Sequence, residues 1–139
     1  MVSTKQVIVM RKDLKMRRGK QIAQGAHASM KVFLDSGKVI PVFLHSSIQD
    51  PDTHVFSFEL TPEMKEWVEG IFTKICVSVN SKEELHDIYN KAKEAGLPCA
   101  LITDSGLTEF NGIPTDTCCA IGPASSEDID KITGGLTLL

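Results

Sequence analysis

Lys20, Gln24, His27 and Lys31 recur at helical spacing near the start of the chain. At about 100° per residue they share one face of a helix, with Ile22, Ala26, Ser29 and Phe33 opposite. A polar face of this kind fits simple solvation as well as chemistry. The position of Lys20 sharpens the second reading: it stands in the first turn of the helix, directly after an apolar strand. Open α/β sheets bind ligands beyond the carboxyl ends of their strands, and backbone N–H groups at a helix start favour phosphate. Asp104 follows Ala100-Leu101-Ile102-Thr103 and opens a turn that contains Gly106. An aspartate there is ordinarily a turn former. If the strands ending at Arg11 and Thr103 run parallel, Asp104 lies at the same sheet end as Lys20. The lysine would keep the acid ionised, and the acid could orient or deprotonate a water. Thr108 and Thr117 add hydroxyls at that end if the loop between them folds back.

Other chemistries find little support. No glycine-rich nucleotide loop, Walker motif or Gly-x-Ser-x-Gly elbow occurs. Cys76, Cys99, Cys118 and Cys119 form no Cys-x-x-Cys pair, and His27, His45, His54 and His86 show no ligand spacing, so no metal is expected. Adjacent Cys118 and Cys119 on a strand would face opposite ways, as small buried hydrophobes of a reducing compartment.

The elements that must position Lys20 and Asp104 follow from periodicity and punctuation. Residues 5–11 read as a central strand, with Val7 to Met10 continuously apolar. A helix spans about 19–35. Thr61-Pro62-Glu63 starts a second. Residues 73–79 alternate as a strand, and the capping box Ser81-x-x-Glu84 opens a helix closed by Gly96 and Pro98. Residues 99–103 and 117–121 are strands, Ser125-x-x-Asp128 starts a short helix, and residues 136–139 form a candidate terminal strand. Residues 38–58, with a turn at Asp50-Pro51-Asp52, suggest a hairpin. The expectation is a single α/β domain over 1–139: a mixed, mostly parallel sheet of about four strands with helices on both faces.

The net charge is −3, yet six basic residues and one acid occupy Arg11 to Lys20. Arg11, Lys12, Lys15, Arg17 and Arg18 form a candidate rim for an RNA backbone. No run approaches the roughly 20 apolar residues of a membrane span. Lys5 is followed by a short apolar run and then Arg11, Lys12 and Asp13, so no signal peptide is read and the cytoplasm is the expected location.

Three stretches together resemble the type-2 peptidyl-tRNA hydrolase family. Arg11-Lys12-Asp13-Leu14-Lys15-Met16-Arg17-Arg18-Gly19-Lys20-Gln21-Ile22-Ala23-Gln24-Gly25-Ala26-His27-Ala28 is similar to the family's D-L-x-M-x-x-G-K-x-x-A-Q-x-x-H-A run. Ile102-Thr103-Asp104-Ser105-Gly106-Leu107-Thr108 is similar to its D-A-G-x-T turn. Thr117-Cys118-Cys119-Ala120-Ile121-Gly122-Pro123, continuing to Ile129-Asp130-Lys131-Ile132-Thr133-Gly134-Gly135-Leu136, is similar to its T-x-x-x-I-G-P…I-D-K-x-T-G-x-L close. The resemblance covers about 5–35 and 66–139. It implies hydrolysis of the ester between a peptide, or an N-blocked aminoacyl group, and the terminal ribose of tRNA. It also implies no cofactor, a homodimer, and a site made of Lys20, Gln24, His27, Asp104, Thr108 and Thr117. Two departures motivate an alternative, a non-catalytic adaptor that binds RNA or protein. Leu107 stands where many members carry arginine, and residues 36–60 read as an insertion longer than the usual connection.

Overall fold

The computed structural model describes residues 2–42 and 52–139. The apolar run Val7–Met10 forms the middle of β1 (Thr4–Arg11), buried against helices on both sides. β1 pairs in parallel with β4 (Lys74–Val79) and antiparallel with β6 (Thr115–Ser125). β5 (Cys99–Asp104) pairs antiparallel with the far side of β6, giving the order β4-β1-β6-β5. The mixed four-stranded sheet is as expected. Its balance differs from the expectation of a mostly parallel one: β1, β4 and β5 run one way, but β6 lies between β1 and β5, so one neighbouring pair is parallel and two are antiparallel. The step from Thr103 to Thr115 is too short for a parallel crossover, and the chain turns back on itself instead.

α1 (Arg18–Leu34) and α2 (Pro62–Glu69) cover one face, where Ala28, Val32 and Met64 pack with Met10, Ala100, Ile102, Cys118 and Ala120. α3 (Lys82–Glu94) and α4 (Ser126–Thr133) cover the other, where Leu85, Ile88 and Ile129 pack with Val7, Val9, Val79, Cys119 and Ile121. Cys118 and Cys119 thus face opposite layers, as their adjacency implied. The starts of α2, α3 and α4 are capped by Thr61, Ser81 and Ser125, each accepting the backbone N–H three residues on.

α1 departs from the reading of its faces. Its buried residues are Gln24, Gly25, Ala28 and Val32, whereas Ile22 and Ala26 are exposed. Small Gly25 and Ala28 let the helix lie close to the sheet, and that brings Gln24, a member of the polar row, inside. Gln6, fully buried within β1, is satisfied by α1: it accepts from Ser29 Oγ at 2.5 Å and donates to the Ser29 carbonyl at 3.2 Å.

β2 (Lys38–Pro41) and β3 (His54–Ser57) form an antiparallel ribbon apart from the main sheet, in keeping with a hairpin. Asp50 and Pro51 of the expected turn lie outside the described residues. The terminal strand reduces to an isolated bridge: Leu138 lies against Val77, with Ser78 N–H donating to the Thr137 carbonyl at 2.8 Å. β6 runs further than expected, through Gly122 and Pro123 to Ser125.

Candidate active site

Because β1 and β5 run the same way, the start of α1 and the end of β5 meet at one sheet edge. Lys20 Nζ lies 3.0 Å from Asp104 Oδ1 and donates to Thr108 Oγ1 at 2.8 Å. Gln24 Nε2 donates to the same Asp104 oxygen at 3.2 Å, and the backbone N–H of Gly106 reaches Asp104 Oδ2 at 3.0 Å. Thr117 Oγ1 donates to Gln24 Oε1 at 2.5 Å. These bonds fix the amide of Gln24: its oxygen is held by Thr117, so its NH₂ must point at the carboxylate. The result is a chain of aligned dipoles from a buried hydroxyl to an acid.

A β-bulge makes that chain. Ile102 is opposite Cys118 and Thr103 opposite Asp116, so Thr117 has no partner on β5. Strict alternation would send Thr117 and Cys118 to opposite faces. The extra residue breaks the alternation, and both side chains meet Gln24, Cys118 Sγ lying 3.3 Å from its carbonyl oxygen. The turn after Asp104 depends on Gly106, whose φ is +82° and where a Cβ would collide with the Ile113 carbonyl.

The Lys20 and Asp104 side chains are each 14% exposed, open enough for a substrate atom and dry enough to strengthen their attraction. The hydrogen bond from Lys20 holds the Asp104 carboxyl below the usual range. The Gly106 amide, the lysine charge and Gln24 assist, against burial, which pushes the other way. The acid is therefore ionised near neutrality. Lys20 donates two of its three N–H groups in hydrogen bonds to Asp104 and Thr108 and keeps one.

The sequence-predicted residues divide. Lys20, Asp104 and Thr108 form the accessible front, and Gln24 and Thr117 a buried support. His27 is not brought in: it is exposed and makes no hydrogen bond to the cluster. It shares the helical face of Lys20, but seven residues of rise put it about 10 Å further along the axis. Leu107 is 83% exposed. Of the basic residues, Lys12, Lys15 and Arg17 are exposed in the loop entering α1 and Arg18 at its first position, Arg17 pairing with Glu109 at 3.0 Å. Arg11 is committed inward, to Asp13 at 2.7 Å and the Asp116 carbonyl at 3.0 Å.

One cluster was not foreseen. On the α3 side of the same strand ends, Asp116 accepts from Thr103 Oγ1 at 2.6 Å and pairs with His86 Nε2 at 2.7 Å. Burial pushes its carboxyl up, but the bonds from Thr103 and His86 outweigh that and leave it below the usual range. It ties β5, β6 and α3 together beside the bulge. No spacing in the sequence marks it, since His86 and Asp116 are far apart and belong to different elements. The thiols offer no rival chemistry: burial pushes Cys118 up to about 12 and Cys119 higher still.

A carboxylate with a lowered folded-state pKa contributes stability that is present above its unfolded value of about 3.9 and lost as pH falls through the folded value. Asp104→Asn is therefore expected to flatten the acid side of the unfolding free-energy curve below about pH 4, measured by urea titration. An acid limb as steep as in the unmodified protein would contradict this ionic role.

A family model described as Peptidyl-tRNA hydrolase PTH2 matches residues 4–139. A protein named peptidyl-tRNA hydrolase from Methanocaldococcus jannaschii is 42% identical over 135 residues, covering 97% of this chain and 99% of the relative. One of the same name from Sulfurisphaera tokodaii is 42% identical over 139 residues, covering 99% and 100%. Another, from Methanopyrus kandleri, is 39% identical over 135 residues, covering 97% of each chain.

Proposed function

The chain belongs to the peptidyl-tRNA hydrolase PTH2 family, and we propose that it cleaves the peptidyl-tRNA ester at the Lys20–Asp104 pair. The observation that carries this assignment is the 3.0 Å contact between an ionised acid and a lysine with one free N–H, at the carboxyl end of the sheet. In the reaction a water oxygen attacks the peptide carbonyl, the ribose oxygen leaves, and the water's protons end on the ribose hydroxyl and in solution. Asp104 Oδ1 is filled by Lys20 and Gln24, while Oδ2 accepts one N–H and keeps a lone pair for that water. A carboxyl of lowered pKa is a weak base, so orienting the water counts for more than taking its proton. The remaining N–H of Lys20 suits the oxygen that gains charge as the carbonyl is attacked, and Thr108 steadies the ammonium. Gln24 and Thr117 hold the carboxylate in place.

An adaptor of the same fold is not favoured, since binding alone does not require a partly buried acid aligned by α1, by the turn after β5 and, through Gln24, by β6. The test is release of the blocked amino acid from N-acetylaminoacyl-tRNA by the purified protein. Release in proportion to enzyme is expected; none at high enzyme concentration would return the adaptor reading. Translation makes the substrate, which supports a cytoplasmic enzyme, and exposed Val68, Ile71 and Phe72 support a homodimer through the α2 side.

The exposed rim of Lys12, Lys15, Arg17 and Arg18 enters α1 beside Lys20 and suits the tRNA backbone; the inward pairing of Arg11 argues for a structural part. Each phosphate contact releases counterions, so affinity is expected to fall with salt at a log–log slope of about −0.7 to −0.9 per contact. Lys15→Glu with Arg17→Glu should make the slope shallower. Binding that is flat with salt, or unaltered by the pair, would rule the patch out.

A further inference from the structure

Resting on that reading, we infer that the groove between α1 and the open edge of β5 holds the peptide part of the substrate as an added strand. The strand would run parallel to β5, with its ester carbonyl at Asp104. β5 is the edge of the sheet: among the described residues no strand pairs with its outer side. In an antiparallel pair alternate residues turn their N–H and C=O groups away from the partner, so this edge offers a row of unused donors and acceptors. Natural edges are usually blunted by lysine, proline or a covering element. The sequence of β5, Cys-Ala-Leu-Ile-Thr-Asp, has neither lysine nor proline within it.

Beside the edge lies a groove of about 440 Å³, lined on α1 by His27, Met30 and Leu34 among others, and on β5 by Ile102 and Thr103. Thr103, which lines the groove, is the residue before Asp104, so the groove reaches the strand position next to the site. Its direction also fits. The reacting carbonyl is the C-terminal end of the peptide, and Asp104 is the C-terminal end of β5, so a peptide seated along the edge must lie parallel to it. From Lys20 to Leu34, α1 rises about 21 Å, close to the roughly 20 Å that a six-residue strand spans. Helix and edge therefore flank the same length of chain.

The chemistry suits this class of ligand. Peptides caught on tRNA share a main chain but no sequence. Strand addition binds the main chain, with side chains contributing through alternate pockets. Met30 and Leu34, both more than half exposed, present a soft apolar wall that different side chains can share. His27, set apart from the catalytic cluster, finds its place in this wall.

The experiment compares N-acetylaminoacyl-tRNA with tRNA carrying a five-residue peptide, and with five-residue substrates bearing one N-methyl group at successive positions. The longer peptide is expected to be cleaved with a higher kcat/KM. N-methylation should lower kcat/KM about three- to tenfold at alternate positions and leave the positions between them unaffected, as loss of single hydrogen bonds implies. Met30→Glu should raise KM for the five-residue substrate and leave the one-residue substrate unaltered. Hydrolysis indifferent to peptide length and to N-methylation would overturn the inference. So would Met30→Glu slowing both substrates alike, which would remove the peptide from this wall. Failure to cleave even the one-residue substrate would overturn the esterase reading, and this inference with it.

Discussion

Asp104→Asn is expected to lower hydrolysis at least a hundredfold, about 2.7 kcal/mol of barrier, while the protein stays folded. The carboxylate receives three donors: Lys20 Nζ, Gln24 Nε2 and the Gly106 amide. An asparagine has the same shape but one oxygen instead of two. If that oxygen keeps the Gly106 bond, its NH₂ meets Lys20 and Gln24 donor to donor; if it turns toward them, the NH₂ meets the Gly106 N–H. Either way the lysine loses its counter-charge, and the water meets at best a neutral amide oxygen in place of a carboxylate. The turn itself rests on Gly106, and one face of the Asn side chain can still serve it, so the fold survives. Single-turnover rates with N-acetylaminoacyl-tRNA, set beside circular dichroism, check both halves. A variant that keeps more than about a tenth of the rate, within 1.4 kcal/mol of the original barrier, would remove Asp104 from the chemistry.

Lys20→Ala should have an effect of similar size and a particular kinetic form. A phosphate anchor contributes equally to ground and transition states, and its loss raises KM. A donor to the developing oxyanion acts mainly in the transition state, and its loss lowers kcat and kcat/KM together. The geometry favours the second role. Lys20 is 14% exposed, enclosed by Asp104 and Thr108 with Phe110 nearby, whereas Lys12, Lys15, Arg17 and Arg18 are exposed to solvent, where phosphates can reach them. A fall in kcat of about a hundredfold or more is expected, as for loss of an oxyanion-hole donor. Lys20→Arg should recover only part of it, because a planar guanidinium cannot place one N–H on Asp104, one on Thr108 and a third outward as a tetrahedral ammonium does. Normal kcat with raised KM would instead make Lys20 an anchor.

Much of this site was legible in the sequence, for identifiable reasons. Lys20 and Asp104 each end or follow an apolar strand, and strand direction alone brings them to one edge; β6 between β1 and β5 alters the pairing but not the direction. The caps at Thr61, Ser81 and Ser125 use local chemistry and were readable where they stand. What escaped depends on non-local geometry. The bulge at Thr117 is a one-residue slip between partners, and nothing in a strand read from the sequence as 117–121 marks it. The burial of Gln24 follows from close approach through Gly25 and Ala28, which hydrophobic periodicity does not weigh. Helical phase placed His27 with Lys20, but phase carries no information about axial distance. The link of Asp116 to His86 and Thr103 joins three elements that only the folded chain assembles.

The most direct test of a Lys20–Asp104 catalytic unit is a double-mutant cycle. It uses single-turnover hydrolysis of N-acetylaminoacyl-tRNA by the unmodified protein, Lys20→Ala, Asp104→Asn and the double variant. Groups that act together lose their function together, so their effects are not additive. The expected result is that each single change costs about a hundredfold or more and that the double variant is hardly slower than Asp104→Asn alone. A double variant whose loss equals the product of the two single losses would contradict a joint role. Single variants that keep near-normal rates would contradict the site itself.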